Sequence, residues 1–378
     1  MTDIGSLYIP TELLERIIHE IDVKEDRWFW NFHTKKDLKT LRCVNSTFCS
    51  LVDPILFSKI KIDLSIHSPS DAMDKLRVLA SKSSRISPHV RALVISSVIL
   101  KYPFEGWLKA IASVNKYFKE QKEAWAYLLK ALRSWRNLLV VDLLWEDAFP
   151  EFWLLLQEEK IHLRQVKIFI VSDDLDRSFS EYLSSYSGLE SLDIHFQYPS
   201  NPAASTAEDF CSKVLPKHYD SLRLLGLCSY EQGSGWSFGK RSIEWFSRCV
   251  ELRTLRVSID ADDIREVNSE EDIVNLCLNF AQNFPHLSML AMSPAYIRRP
   301  PRQSFLRFGN TNRPRRCNFA LHEEERNRIV DRVLAYKPSL ESVGNFAFEV
   351  MVDHDSLKRD VDGGFYESPV LLPFFRPG

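Results

Sequence analysis

The sequence predicts an α/β chain in which three N-terminal helices precede an irregular series of strand–helix units. Three observations predict it. An apolar stripe at helical spacing opens the chain, the frame LxxLxL or a close variant recurs along the remainder, and helical patterns fall between its copies.

Composition sets the outer bounds. Hydrophobic residues make up 45% of the 378 and charged residues 26%, so a folded chain with core material for more than one domain is expected. The net charge of -2, from 49 basic and 51 acidic side chains, gives no general attraction to nucleic acid or to anionic membrane. Cys43, Cys49, Cys211, Cys228, Cys249, Cys277 and Cys317 are scattered without CxxC spacing, as buried thiols in a reducing compartment are. The start MTDIGSLYIP lacks the basic-then-apolar order of a secretory signal, and no apolar run approaches the roughly 18 residues that cross a bilayer. The cytoplasm, the nucleus or both are the expected location.

The first helix is marked by Leu13, Leu14, Ile17, Ile18 and Ile21, with Thr11 as its N-cap. A second begins at Asp37 and places Leu38, Leu41, Val44 and Phe48 on one face. A third short apolar element runs through Pro54, Ile55, Leu56, Phe57, Ile60 and Ile62. Three short helices do not close a large core alone, so this segment caps the remainder of the chain or docks onto a partner. Between the first two helices, Trp28, Phe29, Trp30 and Phe32 form an aromatic cluster that either widens a binding surface or folds back onto the chain.

In order and chemistry, Ile9-Pro10, Glu12, the Leu13/Ile17/Ile21 stripe, the Leu41-Arg42-Cys43-Val44 segment and Leu56-Phe57 resemble the F-box, over Ile9 to Ile62. Divergent fungal F-box proteins are similar. The resemblance implies that the opening dipeptide and the apolar helix faces enter a hydrophobic groove of a Skp-type adaptor, giving contact roles to Ile9, Pro10, Leu13, Ile17, Leu41 and Val44. Two departures are the long connection DVKEDRWFWNFHTKK and Phe48, which stands where the family commonly has tryptophan.

Beyond this segment the frame occurs at Leu138/Val141/Leu143, Leu163/Val166/Ile168, Leu189/Leu192/Ile194, Leu222/Leu225/Leu227, Leu252/Leu255/Val257 and Leu287/Leu290/Met292. Val90/Leu93/Ile95 and Leu340/Val343 are weaker copies. Upstream of five copies stand paired apolar residues, Leu132/Trp135, Leu183/Tyr186, Leu215/Tyr219, Phe246/Cys249 and Phe280/Phe284, as a helix end packing onto a strand start requires. Such units resemble leucine-rich repeats. Starts at 138, 163, 189, 222, 252 and 287 are unevenly spaced, and Gln197, Tyr230, Asp260 and Ala295 occupy the place where the family has asparagine. Helices are expected at Ser70 to Ser81, Trp107 to Trp135, Asp272 to Asn283 and Glu323 to Ala335, with a parallel sheet opposite them whose face binds.

Few patches carry chemistry. Arg298, Arg299, Arg302, Arg307, Arg313, Arg315 and Arg316 crowd a segment with no acid, which either binds an acidic or phosphorylated target, binds nucleic acid, acts as a nuclear-import tract, or is a solvated insertion. GSGWSFG at Gly233 to Gly239 lacks the GK[ST] ending of a phosphate loop. The histidines show no metal spacing, with His195 and His286 expected in strands or turns, and no nucleophile elbow is present. Asp173-Asp174, Asp260/Asp262/Asp263 and Glu323 to Glu325 fall at element ends, where acids are ordinary. The tail FYESPVLLPFFRPG is apolar enough to pack on the last unit or to dock elsewhere.

The expectation is thus an α/β chain with an F-box-like three-helix domain at 1–65, then an irregular leucine-rich-repeat-like solenoid at 66–378 with an Arg-rich insertion near 298–316. It is not an enzyme and takes no cofactor or metal. It serves as the substrate-recognition subunit of a Skp/cullin/F-box ubiquitin ligase, binding a Skp-type adaptor, through it a cullin, and an unidentified target protein. The alternative is a leucine-rich-repeat interaction scaffold without a ligase role. Nucleic acid and membrane are not expected partners.

Overall fold

The computed structural model describes residues 12–14, 16, 32–64, 69–81, 84–96, 120, 122–145, 149–170, 175–196, 204–229, 235–265, 272–295, 317–340, 347–350 and 370–371. The chain forms two compact units, Met1–Asp142 with Glu158–Ile161, and Leu143–Gln157 with His162–Gly378. Among the described residues no helix is long and apolar enough to cross a membrane.

In the first unit, residues 12–14 and 16 are helical. Helices α1 (Phe32–Arg42) and α2 (Ser46–Leu56) pack through Leu38, Val52 and Leu56, with Leu41, Phe48, Leu51, Ile55 and Phe57 half-buried around them. The spacing of Leu38, Leu41, Val44 and Phe48 suggested one helix, but the chain turns between Leu41 and Phe48. Asn45 is the reason: it adopts an extended backbone and its side chain accepts from the Phe48 N–H at 2.9 Å, starting α2 afresh.

Strand β1 (Lys59–Asp63) comes next, then α3 (Pro69–Leu79) and β2 (Ala92–Ser96). β1 and β2 pair in parallel, Ile60 opposite Leu93 and Ile62 opposite Ile95. Ile60 and Ile62, expected in a third helix, are therefore strand residues. The KIKID pattern has the period of two that buries one face of a strand. Residues 122–132 are helical, and β3 (Val140–Trp145) begins where the N–H groups of Leu139 and Val140 both donate to the Arg91 carbonyl.

The second unit places a strand at each strong copy of the frame from Leu163 onward. After α4 (Pro150–Glu158) come β4 (Gln165–Ile170), α5 (Arg177–Ser184), β5 (Ser191–Phe196), α6 (Ala204–Lys213) and β6 (Leu224–Ser229). The series continues with α7 (Lys240–Phe246), β7 (Thr254–Asp260), α8 (Ala261–Arg265), α9 (Ile273–Ala281), β8 (Met289–Ala295), α10 (Cys317–Leu340), β9 (Ala347–Val350) and β10 (Val370–Leu371). β4 to β9 pair in parallel in chain order, and β10 closes on β9 antiparallel.

Register explains the frame. Val166, Leu192, Leu225, Leu255 and Leu290 stand opposite one another, as do Ile168, Ile194, Leu227, Val257 and Met292, and all are buried. The residue after each first leucine sets the next strand: the carbonyls of Arg164, Glu190, Arg223 and Arg253 each accept two successive N–H groups from the following strand. Between strands, the apolar pairs end helices as expected; Leu183, Phe246 and Phe280 are all buried near the ends of α5, α7 and α9. Gly188, with φ +97°, makes the turn between α5 and β5. An aromatic row ties the helices together: Trp153 to Phe179 at 4.6 Å, Phe179 to Phe210 at 6.1 Å, Phe210 to Trp236 at 5.5 Å and Trp236 to Phe196 at 4.3 Å.

These findings correct the expected architecture of a helical F-box-like module followed by a leucine-rich-repeat-like solenoid. The chain is α/β, but a sheet strand already lies within the segment assigned to the helical module. In β5, β6 and β8 every residue after the first is buried, so both sheet faces are covered. That is the pattern of a parallel sheet inside an α/β fold rather than of an array with one open face.

Candidate functional site

The residues expected to dock onto an adaptor are described only in part. Leu13 lies on helical backbone and is 51% exposed; Val44, in the turn after α1, is 59% exposed. Leu41, one turn before Val44, is half-buried against the α1–α2 core, and the Val44 N–H donates to its carbonyl at 3.0 Å. Ile9, Pro10 and Ile17 lie outside the described residues, as does the aromatic stretch 28–31.

An unexpected pair stands beside this surface. Arg42, the last residue of α1, donates from Nε to Asp53 Oδ1 and from Nη2 to Oδ2 at 3.4 Å, and its guanidinium carbon lies 5.2 Å from the centre of the Phe57 ring. Asp53 is buried within α2. Its carboxylate holds the Arg42 pKa above the ordinary value. In the sequence Arg42 stands only as part of the Leu41-Arg42-Cys43-Val44 segment that resembles the F-box, with nothing to mark Asp53 as its partner.

The seven arginines from Arg298 to Arg316 lie outside the described residues, as do Asp173-Asp174, Gly233 and most of the tail. Asp262 and Asp263 open α8, Glu324 pairs with Arg328, and buried Glu325 pairs with Arg265 of α8. The Glu325 pair ties α8 to α10. Arg332 adds to the same work, donating from Nη2 to the Ile264 carbonyl at 2.6 Å and pairing with Asp272 at 3.2 Å.

A charged rung crosses the sheet where sequence reasoning marked only His195. Lys167, Asp193, Gly226 and Arg256 stand opposite one another on β4 to β7. Asp193, 3% exposed, receives Arg256 Nη1 on Oδ2 at 3.0 Å, and His195 Nε2 lies 3.0 Å from Oδ1. Burial alone would raise the Asp193 carboxyl, but His195, Arg256 and Lys167 together hold it well below the usual carboxylate range. His195 stands opposite Cys228, yet burial, with Asp193 adding to it, pushes that thiol up, so the pair supplies no thiolate nucleophile. The rung is an ion-paired brace. Among the described residues no group of three or more His, Cys, Asp or Glu side chains is placed to hold a metal ion.

The sequence matches no protein-family model, and a comparison with curated proteins gives no match.

Proposed function

We propose that this chain is the substrate-recognition subunit of a Skp/cullin/F-box ubiquitin ligase, acting in the cytoplasm, the nucleus or both. Its N-terminal segment attaches it to a Skp-type adaptor and thereby to a cullin, and its α/β unit holds the target protein. The order of Ile9-Pro10, Glu12, Leu13, Leu41 to Val44 and Leu56-Phe57 supports the reading. One observation carries it furthest. Of the five large hydrophobic side chains exposed among the described residues, Leu13, Val44, Val78, Leu154 and Val250, two fall on positions to which the resemblance gives adaptor contacts. Apolar side chains left in water at a docking position gain free energy when a groove covers them.

On this reading the chain makes and breaks no bond. It raises the effective concentration of target lysines near a ubiquitin-charged enzyme borne by another subunit. The α/β unit contributes a rigid body braced by the aromatic row and the charged rung. Because both faces of β5, β6 and β8 are buried, the target is held by surfaces other than those stretches of sheet. Co-purification with a Skp-type adaptor from the same source tests the proposal, comparing wild type with an Ile9→Asp, Leu13→Asp double variant. Binding by wild type that the folded variant loses supports it. Absence of wild-type binding, with both proteins folded, removes the ligase role.

A further inference from the structure

We propose that Arg42 is a positioning residue for the adaptor surface: its ion pair with Asp53, rather than a contact of its own with the partner, fixes where Leu41 and Val44 stand. The inference rests on the adaptor reading and names the residue pair on which that surface depends.

The geometry separates two kinds of restraint. Leu38, Val52 and Leu56 hold α1 against α2 by apolar contact, which is strong but non-directional and tolerates sliding or rotation of one helix on the other. The guanidinium fork is directional, since two donors on one plane must meet two oxygens. Arg42 ends α1, directly after Leu41 and two residues before Val44. Its Nε and Nη2 meet both oxygens of Asp53, and the Phe57 ring beyond α2 supports its face at 5.2 Å. Asp53 is itself held from behind, with the Cys49 Sγ 3.5 Å from Oδ2. The chain between the helices is short: the Cys43 and Val44 N–H groups donate to the Thr40 and Leu41 carbonyls at 3.0 Å, and Asn45 then caps α2. A rotation of α1 that broke the fork would carry Leu41 and Val44 with it.

Exposure makes the alternative testable. The Arg42 side chain is 40% exposed and within reach of a partner, whereas that of Asp53 is 12% exposed and lies between the helices. If Arg42 acts through Asp53, removing either partner has the same effect and removing both has no more.

The test is a double-substitution cycle on the full chain, read as affinity for a purified Skp-type adaptor, with far-UV ellipticity confirming that each variant is folded. Arg42→Gln and Asp53→Asn are each expected to weaken binding about tenfold, the combined variant no further, as coupled neighbours do. Arg42→Lys, which keeps the charge but lacks the planar fork, recovers little of the loss. Should Asp53→Asn fail to fold, Asp53→Glu replaces it. Wild-type affinity in the folded Asp53 variant alongside a loss in Arg42→Gln overturns the proposal, because Arg42 then touches the partner itself. Losses that multiply in the combined variant overturn it equally. A wild-type chain that does not bind the adaptor overturns the adaptor reading first, and this inference with it.

Discussion

Arg256 on β7 reaches Asp193 on β5 across the whole width of β6, Nη1 to Oδ2 at 3.0 Å, and it does so over Gly226. A Cβ added at Gly226 would stand 2.1 Å from Asp193 Oδ1 and 3.3 Å from its Cα. The glycine is required by what lies over it, without any need of a special backbone angle.

Gly226→Ala is therefore expected to destabilise the chain by about 1 to 3 kcal/mol, the cost of forcing extra volume into a packed interior. Asp193→Asn, which removes the buried carboxylate that Arg256 and His195 face, costs about 3 to 5 kcal/mol. Urea unfolding followed by fluorescence measures both. A Gly226→Ala variant as stable as wild type would show that Asp193 does not lie over β6.

Stability falls with acid in two stages. His218 is buried, accepts the Leu189 N–H on Nδ1 at 3.2 Å and lies with Nε2 3.0 Å from the Leu183 carbonyl, which fixes its neutral form. Burial pushes its pKa from 6.5 down to about 4. A group whose charged form is disfavoured by folding contributes stability that is full above its unfolded value and is lost as pH falls. The first stage thus spans pH 6.5 to 4, amounting to about 3 kcal/mol. Asp193, also depressed, contributes stability above the ordinary carboxylate value that is lost below it. Unfolding free energies measured from about pH 7.5 to about pH 4.5 should slope downward toward acid, and His218→Gln should flatten the slope. A wild-type curve flat across this range would contradict the buried neutral histidine.

The frame was legible because its leucines answer one physical demand: each buries the same sheet face in every strand, and register brings Val166, Leu192, Leu225, Leu255 and Leu290 together. The opposite face was not legible. Cys228 apart, which was expected as a buried thiol, nothing marked Phe169 or Ala291, and the burial of Asp193 beside His195 depends on Arg256, sixty-three residues further along. Nothing local to a strand announces such a partner. Helices of five to ten residues, such as α5 with 8 and α8 with 5, hold too few turns to show a period. At the N-terminus, the apolar spacing through Leu41, Val44 and Phe48 hid the capping signal of Asn45. The docking assignment to Ile9, Pro10 and Ile17 falls outside the described residues, so only Leu13, Leu41 and Val44 acquire a setting.

That cap has its own consequence. Asn45→Ala removes the acceptor for the Phe48 N–H and is expected to cost about 1 kcal/mol. Because α2 begins beside Val44, the same variant should bind a Skp-type adaptor more weakly than its small loss of stability alone explains. Thermal unfolding and adaptor titration on one preparation check both. Unchanged affinity would separate the turn from the docking surface.

The most direct measurement is calorimetric titration of the full chain with a purified Skp-type adaptor, beside a Leu13→Asp, Val44→Asp variant. A saturable one-to-one complex is expected for wild type, with a negative heat-capacity change from apolar burial, and no measurable heat for the folded variant. A folded wild-type chain that gives no binding heat at any temperature, and no complex by size-exclusion chromatography, would contradict it.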